Sequence, residues 1–425
     1  MFKKIVSLVL AVALCLGVTL ALASCGEDET KKDPDVAPLE SVALGAKFDV
    51  PADFKVGFIT LHDENSTYDL NFINAAKKIK EHLGLSDEQV LFEKNIAEEG
   101  SACYDAAKRL VEKGCSVIFA DSFGHEANMV TAAKEFKNVT FCHATGTKAL
   151  VEKLPNYHNA FASIYEGRYL AGVAAGMKLN EMISEGKIKA EEAVIGYVGA
   201  FPYAEVVSGY TSFFLGARSI CPSATMKVRY TSSWYNETSE KVAAETLINV
   251  DRCVLISQHA DSMGAPNACE VKGVPNVSYN GSTVKSCPDT FIISSAIDWS
   301  PYYYHMIDCV VNGKTLEENW CGDISTGSVV LSVLNGSVAA TGTVAKIQEV
   351  AAKLQAGTLH VFDTNTFTVN GEKVTNYLAD VIDHGDADKY EHETEAIRDG
   401  YFAESVYRSA PYFDLRIDGI TELNN

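Results

Sequence analysis

Residues 116–143, SVIFADSFGHEANMVTAAKEFKNVTFCH, contain the alternation on which the fold prediction rests. Ser116 to Ala120 and Val139 to His143 are apolar stretches of strand length, and Glu126 to Phe136 between them has the length and spacing of a helix. Strands that are apolar on both faces belong to parallel sheets covered by helices. The stretch therefore predicts a β-α-β unit.

The same alternation extends in both directions along the chain. The first series starts near Asp53, and a second series of strand-length and helix-length segments runs from Ala193 to Ser295. Between them lies YEGRYLAG, residues 165–172, whose small residues suit a closely packed helix at a crossover between two lobes. We predict an α/β protein with two doubly wound parallel-sheet lobes joined by a hinge.

The first 25 residues have the features of a bacterial export signal. Lys3 and Lys4 precede an apolar run over residues 5–23, and residues 22–25 read LASC. A charged start and a short apolar segment are typical of a signal peptide, and small residues before Cys25 match the pattern in which that thiol is lipidated. An ordinary signal peptide or an N-terminal membrane helix are the alternatives. We predict a protein anchored by lipid to the outer face of the cell membrane.

These features divide the chain into four parts. Residues 26–50 are polar and contain proline without periodicity, which is typical of a flexible tether. The predicted parts are a signal peptide at 1–24, a lipid-anchored tether at 25–50, a first lobe at 51–163 plus about 291–320, and a second lobe at 164–290 plus about 321–425, with a tail that packs on the hinge.

Composition and charge predict a folded protein that does not bind nucleic acid. The 425 residues are 47% hydrophobic and 22% charged, which is enough for one large or two medium cores. The net charge of -20 argues against nucleic acid as a partner. Of eleven cysteines, those other than Cys15 and Cys25 show no CxxC or Cys/His spacing, so we predict buried thiols, no metal and no cofactor.

A ligand site is expected in the loops that follow the strands, because ligands of such sheets bind at the carboxyl ends of the strands. These loops are rich in aromatic and polar residues, which indicates a planar ligand held by ring stacking and hydrogen bonds. The loops are residues 61–66, 121–124, 199–202, 231–235, 258–262, 279–281 and 298–299.

An ordered set of short stretches resembles the basic membrane protein family, the purine- and nucleoside-binding branch of the type I periplasmic-binding-protein fold. The resemblance runs from about residue 53 to residue 310. Its matching stretches are VGFI at 56–59, FADSFG at 119–124, AAKE at 132–135, YEGRYLAG at 165–172, IGYVGAFP at 195–202, LGAR at 215–218, SW at 233–234, QHADS at 258–262 and WSPYY at 299–303.

The resemblance implies the substrate-binding lipoprotein of a bacterial ABC importer, a monomer that closes on a purine base or nucleoside and delivers it to a permease. It implies no enzyme activity. It also implies ligand-binding roles for ten residues: Tyr68, Asp69, Asp121, Ser122, Phe123, Trp234, Asp261, Asn280, Asp298 and Trp299.

Two positions depart from the family pattern. Asn280 stands where the family has an acidic residue for the ribose, and Asp298 with Trp299 replace a lysine found in some nucleoside receptors. An amide can hydrogen-bond a diol but makes a weaker bond than a carboxylate. The resemblance therefore supports a purine ring better than it supports a nucleoside.

Purely structural roles are alternatives for several of these residues. Asp121 and Asp261 could each cap a following helix, and Phe123 could be a hydrophobic staple residue. Tyr68 could be a core or surface residue, and His259 a buried core histidine. Trp234 lies in an otherwise polar turn, which favours ligand stacking.

Two other functions use the same residues. The chain lacks GxSxG, P-loop, HExxH and GxGxxG motifs, yet an exported two-lobed protein could be a nucleoside hydrolase. A sensor subunit that presents ligand to a membrane kinase would need the same site as a transport receptor.

Overall fold

The computed structural model describes residues 32–382 and 392–423. The predicted signal peptide and Cys25 lie outside the described residues. The described strands are β1 (Val56–Ile59), β2 (Val90–Glu93), β3 (Val117–Ala120), β4 (Thr140–Ala144), β5 (Tyr157–Ala162), β6 (Val194–Gly199), β7 (Thr225–Tyr230), β8 (Leu255–His259), β9 (Asn276–Tyr279), β10 (Phe291–Ile297), β11 (Asn319–Gly322), β12 (Val329–Leu331), β13 (Leu378–Ala379), β14 (Thr394–Glu395), β15 (Ile397–Arg398), β16 (Tyr401–Phe402) and β17 (Ile420–Glu422).

The described helices cover the sheets and include none that is long and apolar enough to cross a membrane. They are α1 (Thr67–Leu83), α2 (Ala102–Glu112), α3 (Glu126–Glu135), α4 (Ala149–Glu152), α5 (Ile164–Ser184), α6 (Ala204–Ile220), α7 (Glu237–Asn249), α8 (Gly264–Lys272), α9 (Ser300–Asn312) and α10 (Thr343–Gln355).

Two parallel sheets form the centres of the two lobes. The first sheet has the strand order β11-β5-β4-β3-β1-β2, and the second has the order β12-β10-β9-β8-β6-β7-β17. All strands of both sheets are parallel to their neighbours except β12, which is antiparallel to β10. Strands such as β3 are buried along their whole length, as expected for a sheet covered on both faces. The predicted α/β class is confirmed.

Within residues 32–382 and 392–423, the chain passes between the two main sheets three times. The crossings lie between β5 and α5, between β10 and α9, and between β11 and β12. The sequence placed the return to the first lobe at about residue 291, but residues 291–297 form β10, which pairs with β9 in the second sheet. The apolar run of β10 is buried there, so the return occurs at residues 298–300. Residues 321–322, assigned to the second lobe, belong to β11 in the first sheet.

The segment before the first strand is not a free tether where the structure describes it. The Asp33 carboxylate accepts hydrogen bonds from the backbone N–H groups of Gly342 (3.1 Å) and Val344 (3.0 Å). The Tyr304 hydroxyl donates to the carbonyl of Ala46 at 2.8 Å. Residues 32–50 therefore lie against the folded domain, because their polar groups find partners there.

The C-terminal segment contacts both lobes. Strand β17 extends the second sheet beside β7, and Arg218 of α6 donates to the carbonyl of Asp418. On the other lobe, Ser409 donates from its backbone N–H and its hydroxyl to Asn319 Oδ1 in β11, at 3.1 and 2.9 Å. The tail predicted to pack on the second lobe and the hinge therefore also contacts the first lobe.

Glu404 of this tail makes stability depend on pH. Its side chain is 3% exposed, and burial raises its pKa from 4.5 to about 7. The raised pKa contributes stability that is fully present below pH 4.5 and is lost as the pH rises through 7. We expect Glu404→Gln, which stays neutral, to gain up to about 3 kcal/mol relative to the wild type between about pH 5 and about pH 8.

Urea unfolding at the two pH values measures this difference. The exposed Glu372→Gln variant is the control, and its difference from the wild type should be the same at both pH values. If the free energy of unfolding of Glu404→Gln differed from that of the wild type by the same amount at both pH values, the raised pKa of Glu404 would be contradicted.

Candidate ligand-binding site

A cavity lies between the lobes, at the carboxyl ends of both parallel sheets. Its wall contains aromatic rings and carboxylates from both lobes. The first lobe contributes Leu61, His62, Tyr68, Asp69, Ser122, Phe123 and Thr145, and the second contributes Glu205, Trp234, His259, Asp261, Tyr279 and Asn280. Seven of the ten residues predicted from the sequence line this cavity: Tyr68, Asp69, Ser122, Phe123, Trp234, Asp261 and Asn280.

The first turn of α1 positions Tyr68 and Asp69. Ser66 caps this helix by accepting a hydrogen bond from the Asp69 N–H at 3.3 Å. Tyr68 donates to the carbonyl of Asp121 at 2.9 Å, which fixes its ring in the wall. Asp69 accepts from the His62 backbone N–H at 2.8 Å and lies 3.3 Å from His62 Nδ1. Burial opposes ionisation of Asp69, but these hydrogen bonds outweigh it and lower its pKa.

The Asp121 side chain lies behind the residues that line the cavity. It is fully buried, and its Oδ1 accepts from the Leu61 N–H at 3.1 Å. Burial, followed by the charge of Asp69, raises its pKa well above the usual range. Neither a helix cap nor a cavity contact is seen for this side chain among the described residues. Asp121 therefore holds the loop after β1 in place through its hydrogen bond to Leu61.

Aromatic rings from both lobes close one end of the cavity. Trp234 packs edge-to-face on Phe201, with ring centroids 5.2 Å apart, and Phe201 stacks on Tyr203 at 5.0 Å. From the first lobe, Phe123 stacks on Tyr203 at 5.7 Å. Because Phe123 is 48% exposed, it is not a core staple residue. Phe123 and Trp234 line the cavity, and Phe201 and Tyr203 pack against them.

Asp261 and Asn280 join the two lobes beside the cavity. Asn280 donates from Nδ2 to Asp261 Oδ1 at 3.2 Å. The carbonyl of Asp261 accepts from the backbone N–H and the hydroxyl of Thr67 in the first lobe, at 3.2 and 3.1 Å. Asn280 has a φ of 65°, a conformation that asparagine tolerates better than most residues. Burial, then nearby Asp69, raises the pKa of Asp261. The lobes are thus in contact across the site.

Two of the predicted ligand residues lie elsewhere. Trp299 is 1% exposed and stacks on Phe72 in the core of the first lobe, with centroids 4.5 Å apart. Asp298 accepts from the N–H and hydroxyl of Ser300 at the start of α9, and pairs with Lys78 Nζ at 2.7 Å. Neither lines the cavity, because this crossover turns directly into a helix that directs both side chains away.

The structure adds wall residues that the sequence did not single out as ligand contacts. Glu205 lies in the first turn of α6, three residues beyond the 199–202 loop, and Thr145 directly follows β4. Tyr279 and His259 are the last residues of β9 and β8, with ring centroids 4.3 Å apart. A position immediately after or at the end of a parallel strand is the signal that could have identified them.

The charge of the wall limits the chemistry of its ligand. Asp69, Glu205 and Asp261 line the cavity, whereas its described lining includes no lysine or arginine. Carboxyl oxygens accept hydrogen bonds, and the lowered pKa of Asp69 favours its charged form, so the wall suits a neutral ligand with N–H or O–H donors better than an anion. Over residues 32–382 and 392–423, no group of histidine, cysteine and acidic residues is arranged to hold a metal ion.

Comparisons with known proteins agree with this geometry and with the resemblance seen in the sequence. The chain is 32% identical over 332 residues to a purine-binding protein of Brucella abortus (strain 2308), covering 77% of this chain and 88% of the relative. It is 34% identical over 215 residues to a putative ABC transporter glucose-binding protein of Haloferax volcanii, 51% of each chain. Its fold matches that of a solute-binding protein of an ABC transporter system from Conexibacter woesei, with a TM-score of 0.58, 19% identity and coverage of 72% of this chain and 98% of the other. Residues 70–355 match the family model described as Bmp, the PnrA-like substrate-binding proteins of ABC transporters. The chain therefore belongs to the PnrA-like family of ABC transporter substrate-binding proteins.

Proposed function

We propose that this substrate-binding protein captures a purine base or nucleoside between its lobes and releases it unchanged to a permease. The observation that carries the proposal is the combination of aromatic faces, Phe123 and Trp234, with the carboxylates Asp69, Glu205 and Asp261 in one cavity. A purine offers planar faces for stacking and N–H groups at its edges. The Brucella relative, which is named as purine-binding, supports the same ligand class.

Energetics favour a planar ligand in this cavity. A stacked ring contributes about 0.5 to 1.5 kcal/mol beyond the effect of burying its area. The buried polar groups Asp261 and Asn280 discriminate further, because a ligand whose own polar groups do not match them leaves those ligand groups unpaired in the cavity. The rings select for shape, and the polar groups select for the pattern of donors on the ligand edge.

The cellular setting follows from the same proposal. Substrate-binding proteins of ABC transporters work outside the cytoplasm. We propose that this one is a monomer held at the membrane by lipid on Cys25, since residues 22–25 read LASC after an apolar run. Hinge closure would trap the ligand, and the closed form would dock on the permease.

A thermal-shift screen of the chain without residues 1–25 tests the ligand class. A ligand that binds only the folded state raises the melting temperature. We expect shifts with adenine, hypoxanthine, guanine or their nucleosides, and none with pyrimidines, glucose or amino acids. Calorimetry then ranks base against nucleoside, and chromatography of the released ligand checks that it is unchanged.

Other outcomes would contradict the proposal in distinct ways. A shift with glucose alone would replace the purine and keep the receptor function. Recovery of base and ribose from a bound nucleoside would indicate a hydrolase. Binding without any effect of gene loss on purine uptake would favour the sensor function.

A further inference from the structure

We propose that His259 is a neutral hydrogen-bond donor of the ligand site, with its tautomer set by Arg168 and Tyr197, and that it selects ligands that carry an acceptor beside an N–H group. The proposal rests on the purine-binding function proposed above and names the ligand edge that is recognised.

One ring nitrogen of His259 faces Tyr197, and the other faces Glu205 at the cavity. Its ring is 2% exposed and lines the cavity at the end of β8. Nδ1 lies 3.4 Å from the hydroxyl of Tyr197. Nε2 lies 3.5 Å from Glu205 Oε1, at the outer limit of hydrogen-bond distance, and has no closer partner among the described residues. A buried polar atom whose protein contact is this long, in the wall of a cavity, indicates a group that a ligand can satisfy better.

The partners of Tyr197 decide which nitrogen of His259 carries the proton. Arg168 is fully buried and can only donate; its Nη2 donates to the Tyr197 hydroxyl at 3.1 Å and to Ser257 Oγ at 2.8 Å. The Tyr197 oxygen thus accepts from Arg168, and its own proton is available for His259 Nδ1. Because Nδ1 accepts, the proton of the neutral ring lies on Nε2.

The surroundings keep the ring neutral. Burial lowers the pKa of His259 and outweighs the hydrogen bond and the charge of Glu205, which raise it; the positive charge of Arg168 adds a smaller lowering. An imidazolium would also place a donor at Nδ1, against the donor of Tyr197. The ring therefore presents a single N–H group to the cavity.

Glu205 completes a pair of complementary groups. Its carboxylate, 3.5 Å from Nε2, is an acceptor beside the donor of His259. A ligand edge that matches this pair carries an acceptor next to an N–H, as in a purine ring nitrogen beside an amino or ring N–H group. A ligand without the acceptor leaves the His259 N–H buried and unpaired, which lowers affinity by about tenfold or more.

Binding of adenine and its 1-deaza, 3-deaza and 7-deaza analogues, measured by calorimetry, tests the ligand edge. Each analogue replaces one acceptor nitrogen by C–H. We expect one analogue to bind the wild type about tenfold more weakly than adenine does. His259→Leu should bind adenine weakly and lose this discrimination. His259→Gln, which keeps an N–H near the position of Nε2, should retain it. Equal discrimination by the wild type and His259→Leu would overturn the proposal.

The tautomer is measured without any ligand, by ¹⁵N NMR of the histidine-labelled chain. At a pH near 7 we expect a resonance from a neutral ring that is protonated at Nε2, and this resonance should be absent in His259→Gln. In Tyr197→Phe, the ring of His259 should no longer prefer the Nε2–H tautomer. A proton on Nδ1, or a charged ring, would overturn the proposal whatever the ligand. An Nε2–H resonance without binding of any purine would instead reject the purine function and support the donor assignment.

Discussion

Replacing Gly172 or Gly216 by alanine is expected to lower the free energy of unfolding by about 3 kcal/mol. Helices α5 and α6 touch through their backbones at these glycines. A Cβ on Gly172 would lie 2.0 Å from the carbonyl oxygen of Phe213, and one on Gly216 would lie 2.0 Å from that of Tyr169. Backbone atoms cannot rotate out of the way, so the two helices of the second lobe would have to separate.

A fall in the free energy of unfolding would be informative, because the helix propensity of alanine by itself predicts a rise. In an isolated helix, alanine is favoured over glycine by about 1 kcal/mol. Urea unfolding of each variant measures the net result, with Ser184→Ala of α5 as the control, since the exposed Ser184 hydroxyl donates to the Glu181 carbonyl of its own helix. A gain in stability in either glycine variant would mean that the helices do not pack this closely.

The fold was predictable from sequence where local pattern is sufficient. Buried parallel strands such as β3 are short apolar runs, and the small residues of 165–172 indicated the close contact now seen at Gly172. The crossovers were harder to place. Nothing local in the apolar run of β10 shows which sheet it joins, because that depends on pairing with β9.

That the loops after the strands meet at one cavity was predictable from the sequence, but the direction of each side chain was not. Residues that follow β3, β8 and β9 do meet at one cavity, as the topology of parallel sheets requires. Trp299 also follows a strand, yet its ring turns into the core against Phe72. His259 was open to a core role because its orientation is set by Tyr197 and Tyr279, which lie on other strands.

Trp234→Ala is expected to weaken binding of the purine found in the ligand screen by about tenfold or more, which corresponds to about 1.4 kcal/mol. The indole lines the cavity and is supported edge-on by Phe201. Its removal eliminates a stacking surface and the apolar area that the ligand covers. The loop should keep its shape, because the hydrogen bond from Asp261 goes to the backbone carbonyl of Trp234.

Calorimetry on three variants separates stacking from general damage to the site. Trp234→Phe retains a ring and should lose no more than about threefold in affinity. The unfolding midpoint of Trp234→Ala should stay close to that of the wild type, since the indole lies at the cavity rather than at the centre of a sheet. If Trp234→Ala kept full affinity while Phe123→Ala lost it, the ligand would stack on the first lobe alone, and Trp234 would serve to close the cavity.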